Sequence, residues 1–452
     1  MAIRIGMVSL GCPKNQVDAE VMLAELKAHG FELVPDAALA EVVVINTCGF
    51  IEEAKQESID QIIEFGKLKQ EGRIKMLVVT GCLAERYQQE LAKELPEVDV
   101  ILGIGANSEI PSLIKKAFVE KDKVLSFPPK SCLPLEGERV LSTLPHYAYL
   151  KIAEGCDNRC TYCAIPSIRG PYRSRKIEDI LEEAKWLASS GVKEIVLVAQ
   201  DTTRYGTDLY GELSLAKLLK QLCSIEGVKW YRILYAYPEC ITDELLEVMA
   251  SQPKVAKYLD LPLQHVDSQV LKRMNRRGDV VSLTQLIRHI RKMVPGITLR
   301  TTLIAGFPGE TKQQFGELCE WVKEMKIERL GCFAYSQEEN TPAALLDGQL
   351  DEETKQHRAE IVMETQMEIH ERLNQKMVGK TVTLLVEGFD KYAECYFGRG
   401  EMDAPDIDGK VFFSAEEPLE FGDEVRVKIE EALDYDLIGA LKEKVHTADQ
   451  QE

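Results

Sequence analysis

The chain has 452 residues, a formal net charge of −19 at pH 7, 45% hydrophobic residues and 29% charged residues. This length exceeds what a single hydrophobic core organises, so we predict two or three domains. No run approaches the roughly 18 apolar residues of a membrane-spanning helix, and the first ten residues are predicted to form a strand rather than a secretory signal, so we expect a cytoplasmic protein with no membrane partner. The acidic balance argues against a protein that coats nucleic acid and favours a basic protein partner.

Residues 1–120 alternate short apolar runs with amphipathic stretches. The apolar runs predict strands at 3–10, 41–46, 75–80 and 98–102, and the stretches after them predict helices at 16–28, 52–67, 83–94 and 107–118. Such alternation is typical of a parallel sheet covered by helices on both faces. Four prolines interrupt the pattern in residues 121–146, which we predict to be a linker.

A second alternating series occupies residues 147–377. It predicts six strands at 147–153, 194–199, 230–234, 258–261, 299–304 and 329–335, with helices between them and a long closing helix at 352–377. Six units indicate an incomplete parallel (β/α)6 barrel rather than the eight of a full barrel. Residues 378–442 show short strand-like runs at 381–387, 410–413 and 423–430, which favour a small all-β barrel. The expected fold class is therefore α/β with an added all-β domain.

The chain contains 12 cysteines. In a reducing compartment a disulfide framework is a poor explanation, and metal binding or catalysis is a better one. A lone cysteine is nevertheless most often a small buried hydrophobic residue. We interpret six of them as packing residues: Cys132, Cys223, Cys240, Cys319, Cys332 and Cys395.

One group of three cysteines follows the first predicted strand of the second domain. Cys156, Cys160 and Cys163 have the spacing CxxxCxxC, and no fourth cysteine lies near them in the sequence. Thiolates suit zinc or iron–sulfur clusters. Three thiolates on a four-iron cluster leave one iron open, which is typical of a catalytic rather than a structural metal. The alternative is a zinc site that takes a distant fourth ligand.

A second group of three lies in the first domain. Cys12, Cys48 and Cys82 each come just after a predicted strand, and each is next to a glycine. Parallel strands end at one edge of a sheet, which is where ligands bind in open α/β folds, and glycine lets the backbone approach a bulky group. The sequence therefore predicts a second metal group here, with ordinary packing as the alternative.

The CxxxCxxC loop, with Tyr162 before its last cysteine, resembles that of the radical S-adenosylmethionine enzymes. Together with the first-domain cysteines and the β tail, it resembles the methylthiotransferases over nearly the whole chain. The resemblance implies two 4Fe–4S clusters. Cys156, Cys160 and Cys163 would hold the one that binds S-adenosylmethionine and starts radical chemistry, and Cys12, Cys48 and Cys82 would hold an auxiliary cluster that delivers sulfur. It also implies a TRAM-like tail that contacts the substrate, and an electron donor such as flavodoxin or ferredoxin.

Further residues match the family pattern less specifically. They fall in the cysteine loop or near the ends of predicted barrel strands, where catalytic residues of such barrels lie. Turn formation or helix capping is the alternative explanation for each. The resemblance implies cofactor contacts for Tyr162, Arg175, Gln264, Gly306, Glu310 and Tyr335.

Two branches of the family differ in substrate. One modifies the β-carbon of an aspartate in ribosomal protein S twelve, and the other modifies a tRNA adenosine. Residues 381–441 carry five basic and sixteen acidic side chains, a net charge of −11, which should repel phosphate and attract a basic protein. This charge, with the local sequence at 46–51, 163–166 and 335–343, favours the ribosomal protein, and RNA binding is not expected. A non-catalytic iron–sulfur carrier is a third alternative.

Overall fold

The computed structural model describes residues 2–120 and 122–445. The chain divides into two compact units. Unit 1 comprises Met1–Ser142, Lys151–Arg175 and Ser336–Ala344, and unit 2 comprises Thr143–Leu150, Lys176–Tyr335 and Leu345–Glu452. No helix in the described part of the chain has the length and apolar character needed to cross a membrane.

Unit 1 contains a six-stranded parallel sheet. In chain order its strands are β1 (Arg4–Ser9), β2 (Glu32–Leu33), β3 (Val42–Thr47), β4 (Met76–Gly81), β5 (Val100–Leu102) and β6 (Val124–Ser126). Their spatial order is β2-β1-β3-β4-β5-β6. The helices are α1 (Pro13–Ala28), α2 (Glu52–Gln70), α3 (Cys82–Glu94) and α4 (Ile110–Glu120).

The sheet of unit 1 is covered on both faces. Val42 and Val44 pack into one hydrophobic cluster, and Val43 and Ile45 pack into another. Successive side chains of a strand point to opposite faces, so a strand buried on both sides becomes a continuous apolar run. This is why β3 and β4 are predictable from the sequence.

Short edge strands were not predicted. The strand β6 lies inside residues 121–146, the segment predicted as a linker, and pairs with β5 at the sheet edge. Only Val124 of its three residues is buried, so no alternating pattern marks it. The boundaries predicted for the domains and the linker otherwise stay predictions.

The segment 151–175 of unit 1 is short and irregular. Strand β7 (Tyr147–Lys151) leads into it, and β8 (Ala153–Glu154) pairs antiparallel with β9 (Arg173–Ser174). Between these two strands lie the CxxxCxxC loop and helix α5 (Ile165–Arg169).

Unit 2 contains the second sheet. Its further strands are β10 (Glu194–Val198), β11 (Trp230–Ile233), β12 (Val255–Asp260), β13 (Thr298–Ala305) and β14 (Arg329–Ala334), in the spatial order β14-β13-β12-β11-β10-β7. Its helices are α6 (Ile177–Ser189), α7 (Leu215–Leu222), α8 (Asp243–Ser251), α9 (Ser268–Arg273), α10 (Val280–Met293), α11 (Lys312–Met325) and α12 (Glu352–Gln375). Six strands in sequential order confirm the incomplete barrel.

The tail of unit 2 forms a closed five-stranded barrel. Its strands are β15 (Thr381–Asp390), β16 (Cys395–Gly400), β17 (Val411–Ser414), β18 (Glu424–Ala432) and β19 (Leu437–Lys444), in the order β15-β16-β17-β19-β18. Three of these were predicted, and the all-β character is confirmed. The strand β16 was missed because two glycines weaken its strand pattern, and β19 because charged residues occupy its second half.

Candidate functional site

Three adjacent loops of unit 1 bring the first-domain cysteines together. Cys12 caps α1 after β1, Cys48 follows β3, and Cys82 begins α3 directly after β4. These three strands are neighbours in the sheet. Gly11 has a φ of 86°, and a Cβ at this position would lie 2.8 Å from the sulfur of Cys48, so only glycine fits there.

The three thiols interact electrostatically. Burial raises the pKa of the Cys82 thiol to about 12; the guanidinium of Arg169 opposes this shift, and Cys12 and Cys48 add to it. Burial also raises the pKa of Cys48, with a further contribution from Cys12. Without a metal these two thiols are therefore neutral at pH 7, and a metal that binds them as thiolates must displace their protons.

The CxxxCxxC loop lies in the same compact unit. Cys156 and Cys160 are buried, and Cys163 is half-buried. Ala164 and Ile168, from the segment after the loop, form a hydrophobic cluster with Cys82. Helix α5, which follows the CxxxCxxC loop, therefore packs against Cys82 of the first-domain cysteines.

Each cysteine group supplies three thiols, the donor set that suits an iron–sulfur cluster with one open iron. Cys12, Cys48 and Cys82 would hold the auxiliary cluster, and Cys156, Cys160 and Cys163 the cluster with an open iron; both assignments stay predictions.

In unit 2, Glu310 stabilises the loop that follows β13. Its carboxylate oxygens each accept a hydrogen bond from the backbone N–H of Gly306 at 3.1 Å, and Arg358 donates to it at 2.5 Å. Gly306 has a φ of 75°, and a Cβ there would lie 2.5 Å from Lys355. Gly306 and Glu310 therefore both have a structural role in forming this turn, the alternative to cofactor contact. Cofactor contact by these two residues stays a prediction.

Gln264 has the features of a ligand contact. Its φ is 70°, and its side-chain oxygen is shielded from solvent with no hydrogen-bond partner in the described part of the chain. Its backbone is fixed by bonds to Thr302 and Ile304 of β13, at 2.8 and 2.7 Å. A shielded, unsatisfied acceptor on strained backbone is a candidate for contact with a bound molecule.

The remaining predicted residues are placed as follows. Tyr335, in unit 2, is buried with its ring edge-to-face against Phe307 at 5.2 Å. In unit 1, Tyr162 is half-buried in the cysteine loop. Arg175, also in unit 1, donates through Nε to the carboxylate of Glu136 at 2.9 Å, which ties the segment before β7 to the end of β9.

Comparison with known proteins identifies the family. Three family models match successive parts of the chain: Uncharacterized protein family UPF0004 at residues 4–103, the Radical SAM superfamily at 150–322 and the TRAM domain at 378–441. The chain is 50% identical over 439 residues to the ribosomal protein uS12 methylthiotransferase RimO of Clostridium tetani, covering 97% of this chain and 98% of the relative. The protein of the same name from Acetivibrio thermocellus is 48% identical over 446 residues, with 97% and 98% covered. The chain belongs to the ribosomal protein uS12 methylthiotransferase family.

Solved structures agree on the fold. The radical S-adenosylmethionine methyltransferase TsrM from Kitasatospora setae aligns with a TM-score of 0.55 over 76% of this chain and 77% of that chain, at 14% identity. The cobalamin-dependent radical enzyme OxsB aligns with a TM-score of 0.50 over 80% and 56%, at 13% identity. At these identities the likeness concerns the arrangement of strands and helices alone.

The tail of this methylthiotransferase uses part of its acidic charge internally. Asp403 pairs with Arg329 at 2.6 Å, and Asp408 accepts a hydrogen bond from Tyr258 at 2.6 Å and lies 3.8 Å from Arg300. The net charge of −11 counted along the sequence therefore overstates what a partner meets. A short acidic cluster is left exposed at Glu416, Glu417 and Glu420.

Sequence reasoning missed a buried charge network beside the cysteines. Asp18 and Glu154 in this methylthiotransferase face Lys151 and Arg169, and all four side chains are at most 3% exposed. The available signal was Lys151 inside the predicted strand 147–153 and Glu154 directly after it, two charged residues in a segment predicted to be buried just before the CxxxCxxC loop. Asp18 carried no such signal, because its partners lie more than 130 residues away.

Proposed function

We infer that this chain transfers a methylthio group to ribosomal protein uS12 by radical S-adenosylmethionine chemistry. The observation that carries this inference is the placement of two cysteine groups in one compact unit, with Cys82 packed against the segment after Cys163. The near-full-length similarity to uS12 methylthiotransferases supports the substrate. We place the attachment on the β-carbon of an aspartate.

The chain's own residues bind, orient and shield the reactive groups. When bound, the two 4Fe–4S clusters and S-adenosylmethionine supply a carbon-centred radical, a methyl group and a sulfur donor, none of which amino-acid side chains provide. Cys48 and Cys82 are less than 10% exposed, which keeps water from these two of the three proposed ligands of the auxiliary cluster. Gln264 offers a fixed, unsatisfied oxygen to a bound molecule.

A ribosomal protein is rich in lysine and arginine, which suits the exposed glutamates of the tail. Radical cleavage consumes an electron, so we propose a small reductant such as flavodoxin or ferredoxin as a second partner. Both the substrate and such reductants belong to the cytoplasm, where we propose that the enzyme acts.

Mass spectrometry of uS12 and of total tRNA, from cells with and without this gene, tests the function. We expect the methylthio mass increase on an aspartate of uS12 only when the gene is present, with tRNA unchanged. The reverse result would instead assign the tRNA branch. A purified protein that forms no 5′-deoxyadenosine from S-adenosylmethionine under reducing conditions would identify a non-catalytic iron–sulfur carrier.

Reversing the exposed tail cluster, as Glu416→Lys, Glu417→Lys and Glu420→Lys, should weaken modification of uS12 severalfold at low salt. The basic substrate loses electrostatic steering, and the loss should diminish as salt rises, because charges are screened over about 10 Å at 0.1 M. Asp423 is left unchanged because it pairs with Lys444 at 2.6 Å. The measurement is the rate of uS12 modification at two salt concentrations, beside substrate-free cleavage of S-adenosylmethionine.

The matched control reverses three exposed glutamates of α12, namely Glu353, Glu364 and Glu371, which changes the net charge by the same amount. We expect it to modify uS12 nearly as well as the parent. Equal rates for the tail variant and this control would show that the tail cluster does not select the substrate.

A further inference from the structure

Arg169 makes a direct contact with one of the predicted cluster ligands. Its side chain is 1% exposed, and Nη2 donates to the sulfur of Cys82 at 3.4 Å and to the side-chain oxygen of Asn15 at 3.1 Å. The other terminal nitrogen of the guanidinium, Nη1, donates to Asp18 at 2.5 Å and to Glu154 at 3.3 Å. All of these residues belong to unit 1.

We propose that Arg169 is a positioning residue that donates an N–H···S hydrogen bond to the Cys82 ligand of the auxiliary cluster and thereby raises the reduction potential of that cluster. This inference rests on the proposed function only in taking Cys12, Cys48 and Cys82 as cluster ligands. Arg169 contributes no ligand and acts through Cys82.

The surrounding charges fix the direction of this donor. Lys151 bridges the same two carboxylates, with Nζ 2.5 Å from Asp18 and 2.9 Å from Glu154. Two carboxylates, Asp18 and Glu154, therefore face two cations, Lys151 and Arg169. The Nη2 end of Arg169 is held towards the sulfur by the rigid planar geometry of guanidinium.

Asn15 completes the support for this geometry. Its side-chain N–H donates to the carbonyl oxygens of Leu10 at 2.7 Å and Thr47 at 3.2 Å. These bonds leave its side-chain oxygen to accept from Arg169. Asn15, which accepts from Arg169, is thus held by the residues that precede Cys12 and Cys48.

A hydrogen bond to a ligand sulfur stabilises the more negative, reduced state of a cluster. Hydrogen bonds to sulfur are among the factors that set iron–sulfur potentials, and partners beyond the first ligands tune a metal in this way. Burial strengthens the interaction because the local dielectric is low. One electron enters the cluster, and no proton leaves Arg169, since guanidinium stays charged.

The direct test detects the arginine nitrogen itself. Full-length protein with Cys156→Ala, Cys160→Ala and Cys163→Ala should carry only the auxiliary cluster, so its reduced paramagnetic signal is unambiguous. With ¹⁵N-labelled arginine, pulsed EPR of this protein should show a ¹⁵N coupling. The absence of an arginine coupling would overturn the proposal without any substitution at position 169.

The second test measures the midpoint potential in the same background. Arg169→Lys keeps the positive charge but loses the two terminal guanidinium nitrogens, so the ¹⁵N coupling should vanish. Reduction of the cluster should become about tenfold less favourable, which corresponds to a midpoint potential lower by about 59 mV for one electron. The matched control is Arg173→Lys, because Arg173 donates to the backbone oxygens of Ser131 and Leu133. An unchanged potential in Arg169→Lys with full iron content would also overturn the proposal.

These outcomes are separable from failure of the proposed function. Neither measurement uses uS12 or S-adenosylmethionine, so a protein that modifies no ribosomal protein can still show the coupling and the shift. Conversely, an enzyme that modifies uS12 can lack both. If Arg169→Lys fails to assemble a cluster, the coupling in the parent background decides the question.

Discussion

Replacing Cys12, Cys48 and Cys82 together with alanine is expected to abolish methylthio transfer to uS12 while leaving formation of 5′-deoxyadenosine from S-adenosylmethionine intact. In the proposed assignment, cleavage needs only the cluster with an open iron, held by Cys156, Cys160 and Cys163. The same assignment gives sulfur delivery to the cluster held by Cys12, Cys48 and Cys82. The measurements are 5′-deoxyadenosine by chromatography, the mass of uS12, and iron per chain.

Iron content is the internal check on this result. The parent should bind about eight irons when reconstituted without oxygen, and the triple variant about half of that. The matched control changes three cysteines outside both groups, Cys132, Cys223 and Cys395, and should keep the full iron content and both activities. Loss of S-adenosylmethionine cleavage in a variant that still holds four irons would refute the division of roles between the two groups.

The parts of the fold that could be predicted from the sequence are those whose pattern is local. The strands β3 and β4 are continuous apolar runs because both of their faces are buried, and Thr311 is the N-cap of α11, in a capping box with Gln314. Edge strands such as β6 bury one residue and leave no pattern. The placement of Cys12, Cys48 and Cys82 on adjacent loops could be predicted because parallel topology carries equivalent loops to one edge of a sheet.

The electrostatic partners could not be predicted, because they depend on contacts between distant parts of the chain. The acidic tail illustrates this limit: a charge count along residues 381–441 treats Asp403 and Asp408 as available to a partner. In the structure Asp403 faces Arg329 of β14, and Asp408 faces Arg300 of β13. Burial of a charge is set by what packs against it, and a single sequence does not contain that information.

The tail barrel is joined to the sheet of unit 2 by a buried ionic network, and breaking it should be costly. Arg399 of β16 pairs with Glu194 of β10 at 2.9 Å and with Glu387 of β15 at 2.7 Å, while Arg232 of β11 pairs with Glu194 at 2.6 Å. Each of the four side chains is at most 6% exposed. Arg399→Met should therefore lower the free energy of unfolding by about 3–5 kcal/mol, because two carboxylates are left under-compensated.

The pH dependence of this loss distinguishes an uncompensated charge from simple loss of packing. Burial alone would raise the pKa of Glu194, but Arg232 and Arg399 outweigh it and hold the pKa below the usual 4.5. A carboxyl with a lowered folded-state pKa contributes stability above its unfolded value and loses that contribution as pH falls through the folded value. The difference between parent and Arg399→Met should therefore be full at pH 7 and shrink below about pH 4.5.

Urea unfolding at pH 7 and pH 4, followed by tryptophan fluorescence, measures this difference for unit 2, because Trp186, Trp230 and Trp321 all lie in that unit. Arg426→Met is the matched control. Its partner Glu443 lies 2.8 Å away, but both side chains are more than half exposed, so a change below about 1 kcal/mol is expected. A loss for Arg399→Met that is the same at both pH values would mean that packing of the long side chain, rather than its charge, holds the tail barrel to the sheet.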